Sequence, residues 1–567
     1  NLNDYTIIIM VNFFLIILLS MPPSPYTRAP IQPPKFPALM NQGPGLIQPA
    51  LGEKKAIVIL VDFADNPSTY QKSQFDSLIY GENENSMRRY YSEVSYGKFT
   101  ISRQSNVIGW VRAPQLYSYY VGDSFGFYSD YPHNVQKLVE DACALADPYV
   151  DFSQYDGDGD GIVDGIFIVH AGPGAEEITD PQERIHHIWS HQWQLSNTGT
   201  SCPGAYQTQD GVKVDYYSME PERLINSAAL ITCGVFCHEF GHILGLPDLY
   251  DIDYSTSGIG SFCLMAAGSW GQASSSDLPG NTPSHLSAWC KYQLGWLTLT
   301  AVERTGISKL ENQQVPCSAK NPYAVRMFED PGGPDWNSYT GGTGEYFLIE
   351  NRFRTGFDRS LPGDGLLILH IDDSRTKNTN EKHPLVGIMQ ADGDAGFLLP
   401  RSTLGKAEDL WKNDSIGFYD GSTPSSRFYG DSASGVTVYN ISLADSIMTA
   451  SFWISPVFLG KVAAYPNPFK INRIPSWGKS VVISYTPSDT TELGSQFPEF
   501  KVTIYNIAGE RVRILDDQNE IDRYRRCAFW DLKNEKSNAV VSGMYIYVIE
   551  IQGERVERSK GRLTIIR

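Results

Sequence analysis

The stretch from Ser227 to Gly245, SAALITCGVFCHEFGHILG, limits what this chain can fold into more than any other part of it. It is apolar almost all round, yet it carries His238, Glu239 and His242 in the spacing HExxH. On an α-helix, at about 100° per residue, the two histidines lie roughly 40° apart on one face and one turn along, so both imidazoles reach a single metal ion at about 2.0–2.1 Å. Glu239 falls at the flank of that face, where its carboxylate can take a proton from a water held at the metal. Gly245 ends the helix as a left-handed residue and Pro247 prevents its resumption, so the chain folds back and delivers Asp248 toward the histidines. The whole reads HExxHxxGxxD, with Asp248 as third ligand and Asp251 or Glu220 of the YSMEPE stretch as competitors.

Two cysteines on the same helix, Cys233 and Cys237, have the i,i+4 spacing of half a structural zinc site. Their directions lie about 160° and about 120° from the mean direction of the two histidines, so neither can share that metal. Core thiols or half of a disulfide are the favoured readings, over a separate metal site. Eight cysteines in 567 residues are too sparse for a disulfide scaffold.

A second metal site is written into DGDGDGIVD. Asp156, Asp158, Asp160 and Asp164 occupy positions 1, 3, 5 and 9 of a tight loop, with Gly161 at 6 and the Ile162 carbonyl at 7. Hard oxygen ligands so dense would repel one another without a cation, and the pattern suits Ca²⁺. Position 12 is Phe167 rather than Glu, so the loop is not an EF-hand. Its expected role is structural, tying the loop to the GIFIVHA strand that follows.

The organisation around these sites is multidomain. Ile7 to Leu19 is an apolar run long enough for a secretory signal and too short to span a membrane, so residues 1–20 are expected to be a signal peptide. Residues 21–53 form a Pro-rich leader or short propeptide. Residues 21–52 contain no Cys, Asp or Glu that could occupy a metal as a switch ligand. Residues 54–298 alternate strand and helix, with AIVILVDF (Ala56 to Phe63) as a buried strand and SMRRYYSEVSYGKFTI (Ser86 to Ile101) as helix, stop and strand. After Leu299 the pattern turns to short apolar runs between Gly, Asp and Asn, so residues 299–455 are expected to be β-rich. In residues 456–567 the stretches SVVISYT, FKVTIYN, GMYIYVIEI and RLTIIR alternate at sandwich spacing.

Charge narrows the partners. The chain carries 46 basic and 64 acidic residues, a net charge of −18, which disfavours nucleic acid and anionic lipid. The excess belongs to residues 1–455, with 29 basic and 51 acidic residues against 17 and 13 beyond them. His186, His187 and His191, with Trp189 and Trp193, read as a partly buried aromatic cluster rather than a substrate cleft. No GxSxG occurs, so serine hydrolysis has no support.

About 23 residues after His242 comes SFCLMAAGSWG, with Met265 in a Gly-bounded turn. Here the sequence resembles the metzincin zinc peptidases, and more narrowly the immune inhibitor A-type secreted metallopeptidases. The matching stretches are VDFAD (Val61 to Asp65), YYSEVSYGKF (Tyr90 to Phe99), HEFGHILGLPDLYD (His238 to Asp251), LMAAGSW (Leu264 to Trp270), HLSAWCKYQLGW (His285 to Trp296), LIENRF (Leu348 to Phe353) and GLLILHID (Gly365 to Asp372), spread over about residues 54–455. The resemblance implies an α/β (α+β) metzincin-like zinc peptidase domain, a β-rich domain beside it, Zn²⁺ on His238, His242 and Asp248, Glu239 as catalytic base and Met265 as the floor of the site. YPNPF, VTIYNIAGERV, SGMYIYVIE and KGRLTIIR resemble the immunoglobulin-like C-terminal sorting domains of type IX secretion cargo, which implies a β-sandwich that engages secretion machinery. The expectation is a monomeric, secreted or cell-surface zinc endopeptidase acting on proteins or peptides, stabilised by Ca²⁺, with no membrane span in its mature form. The competing expectation is a calcium-stabilised surface adhesin whose peptidase fold is inactive.

Overall fold

The computed structural model describes residues 19–26, 47–127, 130–196, 201–303, 307–394, 396–431, 434–454, 462–471, 480–484, 499–516, 520–522, 527–552 and 556–567. The expected export run from Ile7 lies outside them up to residue 18. The chain is multidomain and mixed α/β, rich in sheets and sparing in helices. It divides into two compact units, one holding residues 1–301, 312–416 and 440–450, the other residues 302–311, 417–439 and 451–567.

The first unit is built on a six-stranded sheet of β1 (Leu19–Ser20), β2 (Ile57–Asp62), β3 (Asn106–Arg112), β4 (Ile166–Pro173), β5 (His191–Gln194) and β6 (Tyr216–Arg223), in the order β1-β5-β6-β4-β2-β3. Strands β6, β4, β2 and β3 run parallel, while β5 lies antiparallel to β6 and β1 antiparallel to β5. Parallel strands covered on both faces are apolar throughout, which is why AIVILVDF shows no polar alternation. Val58 and Leu60 face one core with α1 (Met87–Val94) and α3 (Cys233–Ile243). Ile57, Ile59 and Val61 face the other with α2 (Val135–Ala146). A further sheet of this unit sets β7 (Tyr323–Met327), β8 (Glu345–Arg352), β9 (Gly365–Asp372) and β10 (Val386–Ile388) side by side, antiparallel throughout.

In the second unit, Val481–Ser484, Glu499–Asn506, Gly543–Gln552 and Val556–Ile566 fall on the four expected strand stretches. They belong to a four-stranded and a five-stranded sheet that share one core around Phe469, Val481, Ile483, Val502, Ile504, Trp530 and Ile549.

Candidate metal centre

Helix α3 is held by rings and by its own glycines. Phe236 and Phe240 pack against Phe167 of β4 with ring centroids 5.7 and 5.9 Å away, and Tyr91 of α1 donates its hydroxyl to the Cys237 carbonyl at 2.6 Å. A Cβ on Gly241 would meet the Met265 sulfur at 2.5 Å, so the Met-bearing turn lies directly against the helix at this glycine. The helix stops as its sequence requires. Gly245 adopts φ +94°, its N–H bonds the His242 carbonyl at 2.9 Å, and the Leu246 N–H returns to Gly241 at 3.0 Å, the paired bonds of a Schellman cap. Leu249 N–H then bonds the Met265 carbonyl at 2.7 Å, fixing the returning strand that carries Asp248.

Three acceptors converge at the end of this arrangement. His238 Nδ1 faces the Leu264 carbonyl at 3.0 Å and His242 Nδ1 faces the Leu246 carbonyl at 2.8 Å. A carbonyl can only accept, so each Nδ1 carries the proton and each Nε2 presents a lone pair. The two Nε2 atoms stand 3.1 Å apart, and Asp248 Oδ1 is 3.3 Å from both. Burial holds His242 below its ordinary pKa against the opposing pull of Asp248. The Asp248 carboxyl is itself held low, since the two histidines outweigh the upward push of its burial. Asp248 Oδ1 is buried without a hydrogen bond. Three electron pairs aimed at one point with no proton between them fit a divalent cation, and two imidazoles with a carboxylate are a donor set for zinc-like ions. The Nδ1-to-carbonyl bonds are the supports that fix ligand orientation.

Of the three candidate third ligands, only Asp248 joins the histidines. Asp251 is engaged elsewhere, accepting the Ser255 hydroxyl at 2.7 Å and the Thr256 N–H at 2.9 Å. Glu220 on β6 is fully buried, with one oxygen taking the Ser218 hydroxyl and the other unpaired. Glu239 is also fully buried, and neither of its oxygens has a hydrogen bond. Burial, followed by the charges of Glu220, Asp248 and Glu176, pushes its carboxyl well above the ordinary range.

The cleft is filled by the chain's own backbone, which sequence reasoning did not foresee. Strand β1 adds to the edge of the sheet with Leu19 opposite Gln192 and Ser20 opposite His191. The path continues through Met21 N–H to the Ser190 carbonyl at 3.2 Å and Ser24 N–H to the Glu176 carbonyl at 3.0 Å. Trp189 and Trp270 donate their indole N–H groups to the carbonyls of Met21 and Pro22, each at 2.9 Å. The Ser20 carbonyl accepts the Tyr250 hydroxyl at 2.8 Å and lies 3.3 Å from His238 Nε2. Tyr250 was legible only as a residue close behind Asp248.

The acidic loop brings Asp156, Asp158 and Asp160 together, with carboxylate oxygens within 4.8 Å of one another. Asp156 also accepts the N–H groups of Gly159 and Gly161 at 2.8 and 3.0 Å. Asp164 turns instead to the Gly157 N–H at 3.0 Å and to Lys54 at 3.4 Å, and Ile162 bridges to Lys213. A second acidic group, of Asp251, Asp253 and Glu381, was not foreseen. His191 is buried against Phe127 and Tyr217, in keeping with an aromatic cluster. The eight cysteines are free thiols, with Cys233 and Cys237 in the core. Among the described residues no helix is long and apolar enough to cross a membrane.

Residues 50–297 match the family model of the immune inhibitor A peptidase M6, catalytic domain. The chain is 31% identical over 284 residues to the Pre-pro-metalloprotease PrtV of Vibrio cholerae serotype O1, covering 42% of this chain and 29% of that protein. It is 30% identical over 277 residues to Immune inhibitor A of Bacillus thuringiensis subsp. alesti, covering 41% and 38%. The chain thus spans between 29% and 38% of the length of these curated relatives. Two solved structures align with TM-scores too low to bear on the fold. CopC from Methylosinus trichosporium OB3b gives 0.13 at 14% identity, over 19% of this chain and 93% of that one. PorZ of Porphyromonas gingivalis gives 0.15 at 15% identity, over 40% and 30%.

Proposed function

We propose that this chain is a secreted zinc endopeptidase that hydrolyses peptide bonds in proteins. The observation that carries the reading is the convergence of His238, His242 and Asp248 on one point, 3.1–3.3 Å apart, with the unpaired Glu239 carboxylate buried beside them. Zinc held there supplies the Lewis acidity that polarises the scissile carbonyl and acidifies the attacking water. Glu239 takes the proton of that water and returns it to the departing amine nitrogen. The carbonyl bonds to both Nδ1 atoms keep the ligands aimed, and Met265 supports the helix from beneath. Residues 54–298 are the catalytic part, 299–455 a β-rich companion and 456–567 an immunoglobulin-like domain that engages type IX secretion machinery. Asp156, Asp158, Asp160, the Ile162 carbonyl and Asp164 hold a structural Ca²⁺, for which Asp164 must leave Lys54.

The test is metal analysis and casein digestion on the wild type and on Glu239→Gln. One zinc in each protein with cleavage by the wild type alone is the expected result. Full activity in Glu239→Gln would falsify the assignment, and a protein that neither holds zinc nor cleaves casein would favour the adhesin.

A further inference from the structure

Two thiols meet where the Met-bearing turn packs against the next helix. Cys263 lies two residues before Met265, and Cys290 lies in α4 (Ala288–Gln293), whose N-cap is Ser287. Their sulfurs stand 3.9 Å apart and both side chains are fully buried. Contact alone would suit inert core packing. The surroundings of this pair are polar and differ between its two members. The Cys263 sulfur takes the backbone N–H groups of Met265 at 3.4 Å and of Ser287 at 3.3 Å, while the Cys290 sulfur takes the Ser287 hydroxyl at 3.4 Å. A neutral thiol is a weak acceptor, so N–H groups converging on one sulfur favour its thiolate. Two buried basic groups, Arg352 and Lys291, are near enough for a charge on Cys263 to favour their protonated forms, and Arg352 holds the Phe262 carbonyl beside it at 2.6 Å. Burial alone would raise the Cys263 thiol, but its bond with Cys290 and the two N–H groups hold it below the ordinary thiol range. Burial pushes Cys290 well above that range. One sulfur is set up as a nucleophile, and its neighbour keeps a proton to give up.

We propose that Cys263 and Cys290 are a redox pair, joined as a disulfide when the chain folds in the presence of a small-molecule disulfide. The Cys263 thiolate attacks one sulfur of that oxidant, whose sulfur–sulfur bond breaks and releases a small thiolate. Cys290 then attacks the Cys263 sulfur of the mixed disulfide, the mixed bond breaks, and the Cys290 proton leaves with the second small thiol. The protein thiols give up two electrons and the oxidant becomes two thiols. A disulfide is about 2.05 Å long, so the sulfurs must close by roughly 1.9 Å. Burial shuts the oxidant out of the folded core, so the exchange belongs to folding outside a reducing cytosol. The bond closes a sequence separation of 27 residues that includes Leu264, whose carbonyl orients His238, and Met265. It therefore ties the floor of the metal centre to α4.

The full wild-type chain is refolded in mixed reduced and oxidised glutathione, its remaining thiols are blocked with N-ethylmaleimide in denaturant, and the digest is mapped by mass with and without reduction. A Cys263 peptide joined to a Cys290 peptide is the expected result. If refolding yields no folded chain, the same exchange is run on the folded protein a few degrees below its melting temperature, where local opening admits glutathione. Both cysteines blocked by maleimide, or either one joined to a different cysteine, overturns the inference. Reducing the linked protein with a phosphine should lower its melting temperature by roughly 2–5 °C. Cys290→Ala, treated in the same way, should not shift, which separates loss of the bond from any effect of the reductant on a metal. A linked pair whose reduction leaves the melt unmoved, or moves it no more than in Cys290→Ala, overturns the tie between turn and helix.

Discussion

Arg352 offers the most exacting check on how the first unit supports its metal centre. The side chain is fully buried, with Nε and Nη2 on the two oxygens of Asp358 at 2.9 and 2.6 Å, and Nη1 on the Phe262 carbonyl at 2.6 Å. Phe262 stands three residues before Met265, so this guanidinium fixes the approach to the Met-bearing turn. Asp358→Ala leaves the cation buried with Glu350, at 3.5 Å, as its remaining acid partner. Breaking one side of such a pair costs roughly 3–5 kcal/mol, or a fall in melting temperature of roughly 3–6 °C for a unit of this size. Part of that cost depends on pH. Burial alone would raise the Asp358 carboxyl, but Arg352 and then His285 outweigh it and bring its pKa from 3.8 down to about 2. A carboxyl lowered by folding adds stability above its unfolded pKa and loses it as pH falls through the folded one. The shift corresponds to roughly 2–2.5 kcal/mol, present above about pH 4 and lost toward pH 2. The rest of the cost comes from the unpaired guanidinium and the lost hydrogen bonds, and persists in acid. Thermal melts of metal-free wild type and Asp358→Ala, read by near-UV circular dichroism at pH 7, 4 and 2.5, should show a gap that narrows only below pH 4. A gap under 2 °C at pH 7, or one equally wide at pH 2.5, would refute the reasoning.

Two further outcomes follow from the packing around the two candidate metal sites. Gly241→Ala drives a methyl to 2.5 Å from the Met265 sulfur, and should cost about 1–3 kcal/mol and weaken zinc binding. Pairing it with Met265→Ala should recover part of that loss, and simple additivity in a thermal double-mutant cycle would show that the two residues do not press on each other. Calcium removal by EGTA should lower the melting temperature of the wild type and leave Asp158→Asn unchanged, since three carboxylates within 4.8 Å gain most from a cation between them. An unaltered wild-type melt would count against the loop as a calcium site.

The parts of this structure legible in the sequence are those set by local chemistry. HExxH needs only helical periodicity to put two imidazoles on one face, and the Gly245 stop follows from the freedom of glycine at φ +94°. The continuous apolar run at Ala56, short and rich in β-branched Ile and Val, points to a strand covered on both faces. Distant partners left no such mark. Glu220 and Asp251 are as acidic as Asp248, and what separates them is which acceptor the folded chain turns toward the histidines. The Leu264 and Leu246 carbonyls that fix the imidazole protons are backbone atoms and carry no residue-type signal. The acidic loop was read as one array of four carboxylates, yet Lys54, about a hundred residues earlier, draws Asp164 aside. The same limit explains the cleft. A search of residues 21–52 for a side chain able to bind the metal finds none, because the group that faces the ligands is the main-chain carbonyl of Ser20. Every residue has such a carbonyl, so only the pairing of β1 with β5 could reveal which one is presented. An edge strand that accepts any extended backbone will accept the nearest one at high effective concentration, and in this chain the nearest one is its own.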